Sequence, residues 1–127
     1  MSQYDTFAEA IAHMEGFYIP GSRAQRNNNP GNLNLEPWME RKYGAVLETI
    51  PPGVNEAPRF ARFVSPADGW SAMLTLLTSD YLGLTVEAAL NKWAPAADDN
   101  QPSSYIAGVC EMTGFTPDTV LSRSNLA

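Results

Sequence analysis

The sequence predicts an α+β fold, mainly α, with one small β-hairpin placed after the first third of the chain. Three observations carry that prediction. Apolar residues recur at helical spacing in four stretches, each opened by a capping residue or a proline and closed by a glycine or a proline. Alternation of apolar and polar residues is clearest in one place, Arg59-Phe60-Ala61-Arg62-Phe63. No stretch repeats or reads as a linker, so residues 1–127 are expected to form a single domain. A domain of that size buries roughly two-thirds of its unfolded surface, enough for a core without covalent staples.

Taken in order, Thr6-Phe7-Ala8-Glu9 reads as a capping box. Phe7, Ile11 and Met14 follow at helical spacing and Gly16 supplies a stop, so the spacing predicts a short amphipathic helix over 7–15. Residues 17–34, rich in Asn, Pro and Gly, keep neither period and read as a loop. A short helix is expected from Pro37 to Tyr43. Residues 44–50 and 58–64 are expected to be β segments joined by a Pro/Gly-rich turn.

Ser65-Pro66-Ala67-Asp68 opens the clearest helix, with a capping Ser, Pro at the first helical position and an acid in the first turn. Its apolar face is Trp70, Met73, Leu74, Leu77 and Tyr81, and Gly83 ends it. Thr85 caps a further helix carrying Val86, Ala89, Leu90 and Trp93, closed by Pro95. Another follows Pro102, with Tyr105, Ile106 and Val109 on one face and Gly114 past its end. A last short helix is expected to begin at Thr116-Pro117.

Composition narrows the function classes. With 44% hydrophobic and 17% charged residues the chain reads as globular, not disordered. Cys110 is the single cysteine, which excludes an intramolecular disulfide and a thiolate zinc site. His13 is the single histidine and cannot make a His-based metal site alone; no metal is expected, and no cofactor. A net charge of −6 argues against a nucleic-acid partner and gives no electrostatic help toward anionic polymers. No apolar run approaches the roughly 20 residues of a membrane span, so the protein is expected not to be membrane-embedded, and to be a monomer.

Glu15 is the residue whose placement points to chemistry. It follows Ile11 by four and Phe7 by eight, so it projects from the apolar face of its own helix. An unpaired charge buried there costs several kcal/mol, and desolvation favours the protonated acid. A carboxyl kept protonated near neutral pH is what a glycosidase needs to protonate a leaving oxygen. The pattern alone leaves a structural reading open, in which Glu15 reaches out at the helix end or pairs with Arg23 or Arg26.

Ile11-Ala12-His13-Met14-Glu15-Gly16-Phe17, followed by Arg26-Asn27-Asn28-Asn29-Pro30-Gly31-Asn32-Leu33, resembles the start of the lysozyme-like superfamily. The branch it resembles is that of lytic transglycosylases and phage-associated muramidases, in which a helix ends in Glu and an Asn-Pro-Gly-Asn loop lies downstream. Arg62-Phe63-Val64-Ser65-Pro66-Ala67-Asp68-Gly69-Trp70 is similar to the family's lead into the helix under its cleft. Trp93-Ala94-Pro95 through Asn100, then Tyr105-Ile106-Ala107-Gly108-Val109, resembles its ending. The likeness spans roughly residues 7–115 and rests on the order of the pieces, each weak alone.

The resemblance implies a lysozyme-like fold with a glycan cleft, and peptidoglycan glycan strands as the partner. It implies Glu15 as general acid and base, a cleft-shaping loop from Asn28 to Leu33 with Asn28, Asn29 and Asn32 as substrate contacts, and Tyr105 near Glu15. Asparagine amides offer a donor and an acceptor to N-acetyl groups and sugar hydroxyls, although a surface turn is the plain alternative. Tyr18 and Trp38 flank the loops and are candidates to stack on sugar rings. Trp70 and Trp93 are read as packing, His13 as exposed and inert, Cys110 as a buried small hydrophobe.

A second carboxylate would set the stereochemistry of hydrolysis. Glu36, Glu40, Glu48 and Asp68 are the candidates. Glu48 on the hairpin is where a lysozyme would hold one, although strand charges usually face solvent. Lytic transglycosylases use one Glu, with the substrate's N-acetyl group and 6-hydroxyl completing the chemistry. Both outcomes stay open, as do a chitin substrate and a non-catalytic glycan-binding or virion role. MSQYDTFAEA has no apolar signal core, so the expectation is a chain made in the cytoplasm and brought to the wall by a phage particle, a secretion machine or holin-type release.

Overall fold

A computed structural model describes residues 2–93 and 101–127 of the chain. The architecture is α+β and mainly helical. The described elements are α1 (Phe7–Met14), α2 (Arg23–Arg26), α3 (Pro37–Tyr43), β1 (Val46–Leu47), β2 (Ala61–Arg62), α4 (Pro66–Asp80), α5 (Val86–Trp93) and α6 (Pro102–Thr113). Pro95, expected to close α5, and the family-like positions Ala94 and Asn100 lie outside the described residues. None of the described helices is long and apolar enough to cross a membrane. The chain divides into two compact units, Met1–Met14 with Leu74–Ala127, and Glu15–Met73.

The first unit is helical. Its fully buried side chains include Phe7, Ile11, Leu77, Val86, Leu90, Val109, Leu121 and Leu126. Thr6 caps α1: Glu9 N donates to Thr6 Oγ1 at 3.3 Å, and Glu9 bonds back to the Thr6 hydroxyl, which donates to Glu9 Oε1 at 2.9 Å. α1 packs on α6 at Gly108, where an added Cβ would come within 2.8 Å of Met14 Sδ. At α5, Ala88 N donates to Thr85 Oγ1 as the capping reading expects.

The expected helix at Thr116-Pro117 does not form. The segment is a turn, with Thr119 N donating to Thr116 O at 3.0 Å and Thr116 N to Thr119 Oγ1 at 2.9 Å. Its carbonyls serve other elements. Pro117 O and Thr119 O accept from Glu87 N and Val86 N, and further on Asn125 O and Leu126 O accept from Phe7 N and Ala8 N. The C-terminal segment thus satisfies first-turn N–H groups of both α5 and α1, which have no intrahelical acceptor. Leu126, fully buried, anchors it. Leu126→Ala is expected to cost about 3 kcal/mol in urea unfolding; a loss below about 1 kcal/mol would deny it that role.

The second unit is built round the segment 17–34, which is ordered and contains α2. Ser22 caps α2, its hydroxyl accepting from Gln25 N at 3.2 Å. The hairpin is shorter than expected. β1 and β2 pair antiparallel over two residues each, Val46 opposite Arg62 and Leu47 opposite Ala61. The expected strands over 44–50 and 58–64 stop there because a side chain intervenes: Arg59 N and Phe60 N donate to the Glu48 carboxylate. On the other side of β2, Ala61 N donates to Leu33 O at 2.9 Å, tying the asparagine segment to the hairpin. α4 opens as expected, with Ser65 Oγ accepting from Asp68 N.

Candidate active site

Glu15 lies one residue past α1, at the start of a turn, so the helix expected over 7–15 ends at Met14. Gly16 follows at φ 83°, a conformation that turns the chain away from the helix axis. Glu15 is half-buried. Asn32 Nδ2 donates to Glu15 Oε1 at 3.1 Å and reaches Glu15 O at 3.3 Å. The two family-like strings, one ending the first helix and one in the loop, therefore meet at a single amide and a single carboxyl.

The asparagine run has distinct roles that its composition does not announce. Asn27, buried, donates to Glu48 Oε1 at 3.0 Å, and its carbonyl accepts from Phe63 N. Asn28 takes the left-handed conformation at φ 52° and donates through Nδ2 to Phe63 O at 2.9 Å. Its carbonyl leaves no room opposite it for a side chain on α4: a Cβ at Gly69 would stand 1.8 Å from Asn28 O.

Asn29 is fully buried, donating to Leu33 O and Ala61 O and accepting from Leu33 N. That sets the Asn29 side chain apart from the other candidate substrate contacts. The Asn29 amide has both its donor and acceptor sides occupied by backbone inside the unit, so it has no surface to offer a sugar. Asn28 is half-buried and spends one amide N–H on Phe63 O. Asn32 alone of the three turns its amide to the acid.

Glu48 is also not where strand alternation puts it. Its side chain is 1% exposed, not solvent-facing. Oε1 accepts from Arg23 Nε at 2.8 Å and Asn27 Nδ2 at 3.0 Å; Oε2 accepts from Arg23 Nη2 at 2.6 Å, Arg59 N at 3.0 Å and Phe60 N at 2.9 Å. Burial opposes the charge, and the bonds from Arg23, from the Arg59 and Phe60 backbone and from Asn27 outweigh it, bringing the pKa down to about 2. Arg23 also pairs with Glu56, and its guanidinium lies 4.2 Å over the Phe60 ring. Glu48 is thus an ion that ties α2, the asparagine run and the hairpin together.

The aromatic candidates separate. Tyr18 is 46% exposed, its ring edge-on to Phe17, which in turn meets Trp70 edge-on at 5.8 Å. Trp38 is half-buried on α3 beside Tyr43, whose hydroxyl is 2.7 Å from Ser71 Oγ. Tyr105 is buried on α6, in the first unit. Trp93 packs edge-on against Tyr81 at 5.7 Å, in line with a packing role. His13 is exposed, as expected, and is paired with the Tyr4 hydroxyl at 2.9 Å. Cys110 is half-buried, and burial pushes its thiol pKa up, away from nucleophilic use.

Among the described residues no group of three or more His, Cys, Asp or Glu is placed to hold a metal ion. Compared with known proteins, the chain matches no family model and no curated protein.

Proposed function

We propose that the protein is a peptidoglycan glycosidase, a lytic transglycosylase or muramidase, that cleaves the β-1,4 bond between N-acetylmuramic acid and N-acetylglucosamine with Glu15 as its acid. The observation that carries the reading is the hydrogen bond from Asn32 to Glu15, which joins the two strings of the sequence that resemble the family. A lysozyme-like arrangement with a glycan cleft belongs to the same proposal. So does sugar stacking by Tyr18 and Trp38.

The chemistry follows from one carboxyl. Protonated Glu15 gives its proton to the glycosidic oxygen as the bond from the anomeric carbon to that oxygen breaks. The carboxylate left behind then takes a proton from the incoming nucleophile, which restores the acid. If the nucleophile is the 6-hydroxyl of the same muramic acid, the product is a 1,6-anhydro sugar; if it is water, the product is a reducing end. Glu48 is committed to five N–H donors and holds its charge down to about pH 2, so it suits structure better than nucleophilic attack. That favours the single-acid, transglycosylase form of the reaction.

A zymogram of the wild type beside Glu15→Gln tests the reading. A cleared band for the wild type alone is expected. Equal clearing in both lanes, or none in either, would instead support a glycan-binding or virion component with no cutting role. Chitin oligomers run in parallel distinguish a general N-acetylglucosamine glycosidase from a wall-specific one.

A further inference from the structure

We propose that Asn32 is the positioning residue of the acid: its amide holds Glu15 Oε1 and so fixes the orientation of the carboxyl. The proposal rests on the reading of Glu15 as the acid. It also replaces the direct sugar contact that the family resemblance assigns to Asn32.

Geometry fixes the orientation of the amide. Asn32 Nδ2 faces two oxygens of one residue, Glu15 Oε1 at 3.1 Å and Glu15 O at 3.3 Å. Turning Oδ1 to that side would set an acceptor against a carbonyl that can only accept, so the nitrogen belongs there. An NH2 group donates and does not accept. The bond therefore holds one carboxyl oxygen in place and sets the plane of the acid.

The fold bears two costs to keep this side chain in place. Asn32 takes the left-handed conformation at φ 49°, which glycine adopts without penalty. Its Oδ1 is buried and has no hydrogen-bond partner among the described residues. An unsatisfied buried acceptor is destabilising. Asn28 is also left-handed, but its amide ties the loop to Phe63 O. The amide of Asn32 instead reaches a carboxyl, Glu15 Oε1, as well as the backbone oxygen of the same residue. Glycine at position 32 would remove both costs and keep the backbone path. Strain and an orphaned polar atom held against one carboxyl are what a site maintained for function looks like.

The test compares wild type, Asn32→Gly and Asn32→Asp on soluble peptidoglycan glycan strands, with thermal unfolding and side-chain amide NMR on the same samples. Asn32→Gly is expected to keep or raise the Tm while kcat falls by about tenfold or more and KM stays within about twofold. Asn32→Asp, of the same shape without the donor, is expected to lose kcat likewise. The Asn32 NH2 resonances, identified by their absence in Asn32→Gly, are expected to move on Glu15→Ala, which removes the acceptor.

A raised KM with kcat kept would make Asn32 a substrate contact. A Tm lowered by several degrees alongside the rate would make it structural, and unmoved NH2 resonances would deny the bond. Any of these overturns the proposal. Failure of the wider reading is visible separately: a wild type without cleavage removes the acid and its positioning together, whereas an active wild type with an unimpaired Asn32→Gly removes the positioning alone.

Discussion

Glu48→Gln is expected to destabilise the protein by about 3–5 kcal/mol, the usual cost of removing one partner from a buried ion pair. Both oxygens of Glu48 accept, from Arg23, Asn27, Arg59 N and Phe60 N. An amide in its place turns a donor toward at least one of these donors, which leaves buried N–H groups unsatisfied and Arg23 short of its main counter-ion. For a chain of this length the Tm should fall by roughly 10–20 °C. Arg23→Ala should show a comparable loss, and the double variant much less than the sum, because the two residues share one interaction.

The same group gives the fold a pH signature. Glu48 ionises at about 2 in the folded state against an ordinary value of 4.5. Its folded-state pKa is depressed, so its contribution is complete above about pH 4.5 and is lost as pH falls toward about 2. The gap corresponds to about 3 kcal/mol. Urea unfolding at pH 6 and pH 3 measures it: the wild type should lose stability between them, and Glu48→Gln should lose less. Equal losses in the two proteins would place the acid sensitivity elsewhere.

Glu15→Gln is expected to lower the cleavage rate by about 10³-fold or more with little change in Tm. General acid catalysis by a positioned side chain contributes roughly 10²–10⁴-fold, and glutamine has the shape of the acid but no proton to give. The substitution keeps an acceptor for Asn32 Nδ2, so the loop bond survives and the fold has little to lose. Glu15→Asp is a second arm. It retains the proton one methylene further from the substrate and should retain part of the activity, which a purely structural Glu15 would not predict. Rates within about threefold of wild type for Glu15→Gln would remove the acid from the reaction.

The helices were legible because their signals are local. Thr6, Ser65 and Thr85 each accept from a backbone N–H within their own first turn, so the information lies within four residues. α2 carried a signal of the same kind, Ser22 followed three residues later by Gln25, inside a segment whose Asn and Gly content reads as loop. The short hairpin, the turn at Thr116 and the burial of Glu48 were hidden because their causes are distant in sequence. Glu48 is drawn inward by donors from residues 23, 27, 59 and 60, and no periodicity in its own strand records them.

The site was legible in part for the same reason. Glu15 stands out against the apolar pattern of one helix, which is local. The separate tasks of Asn28, Asn29 and Asn32 depend on where Phe63, Ala61 and Glu15 arrive in space. Three identical side chains in one loop cannot be told apart by composition.

Mass spectrometry of the material that the protein releases from purified peptidoglycan is the most direct measurement of the central claim. Muropeptides cut between N-acetylmuramic acid and N-acetylglucosamine are expected, lighter by one water where the 6-hydroxyl has attacked, and absent from a Glu15→Gln digest. Glycan strands left at their original length by the wild type would contradict it.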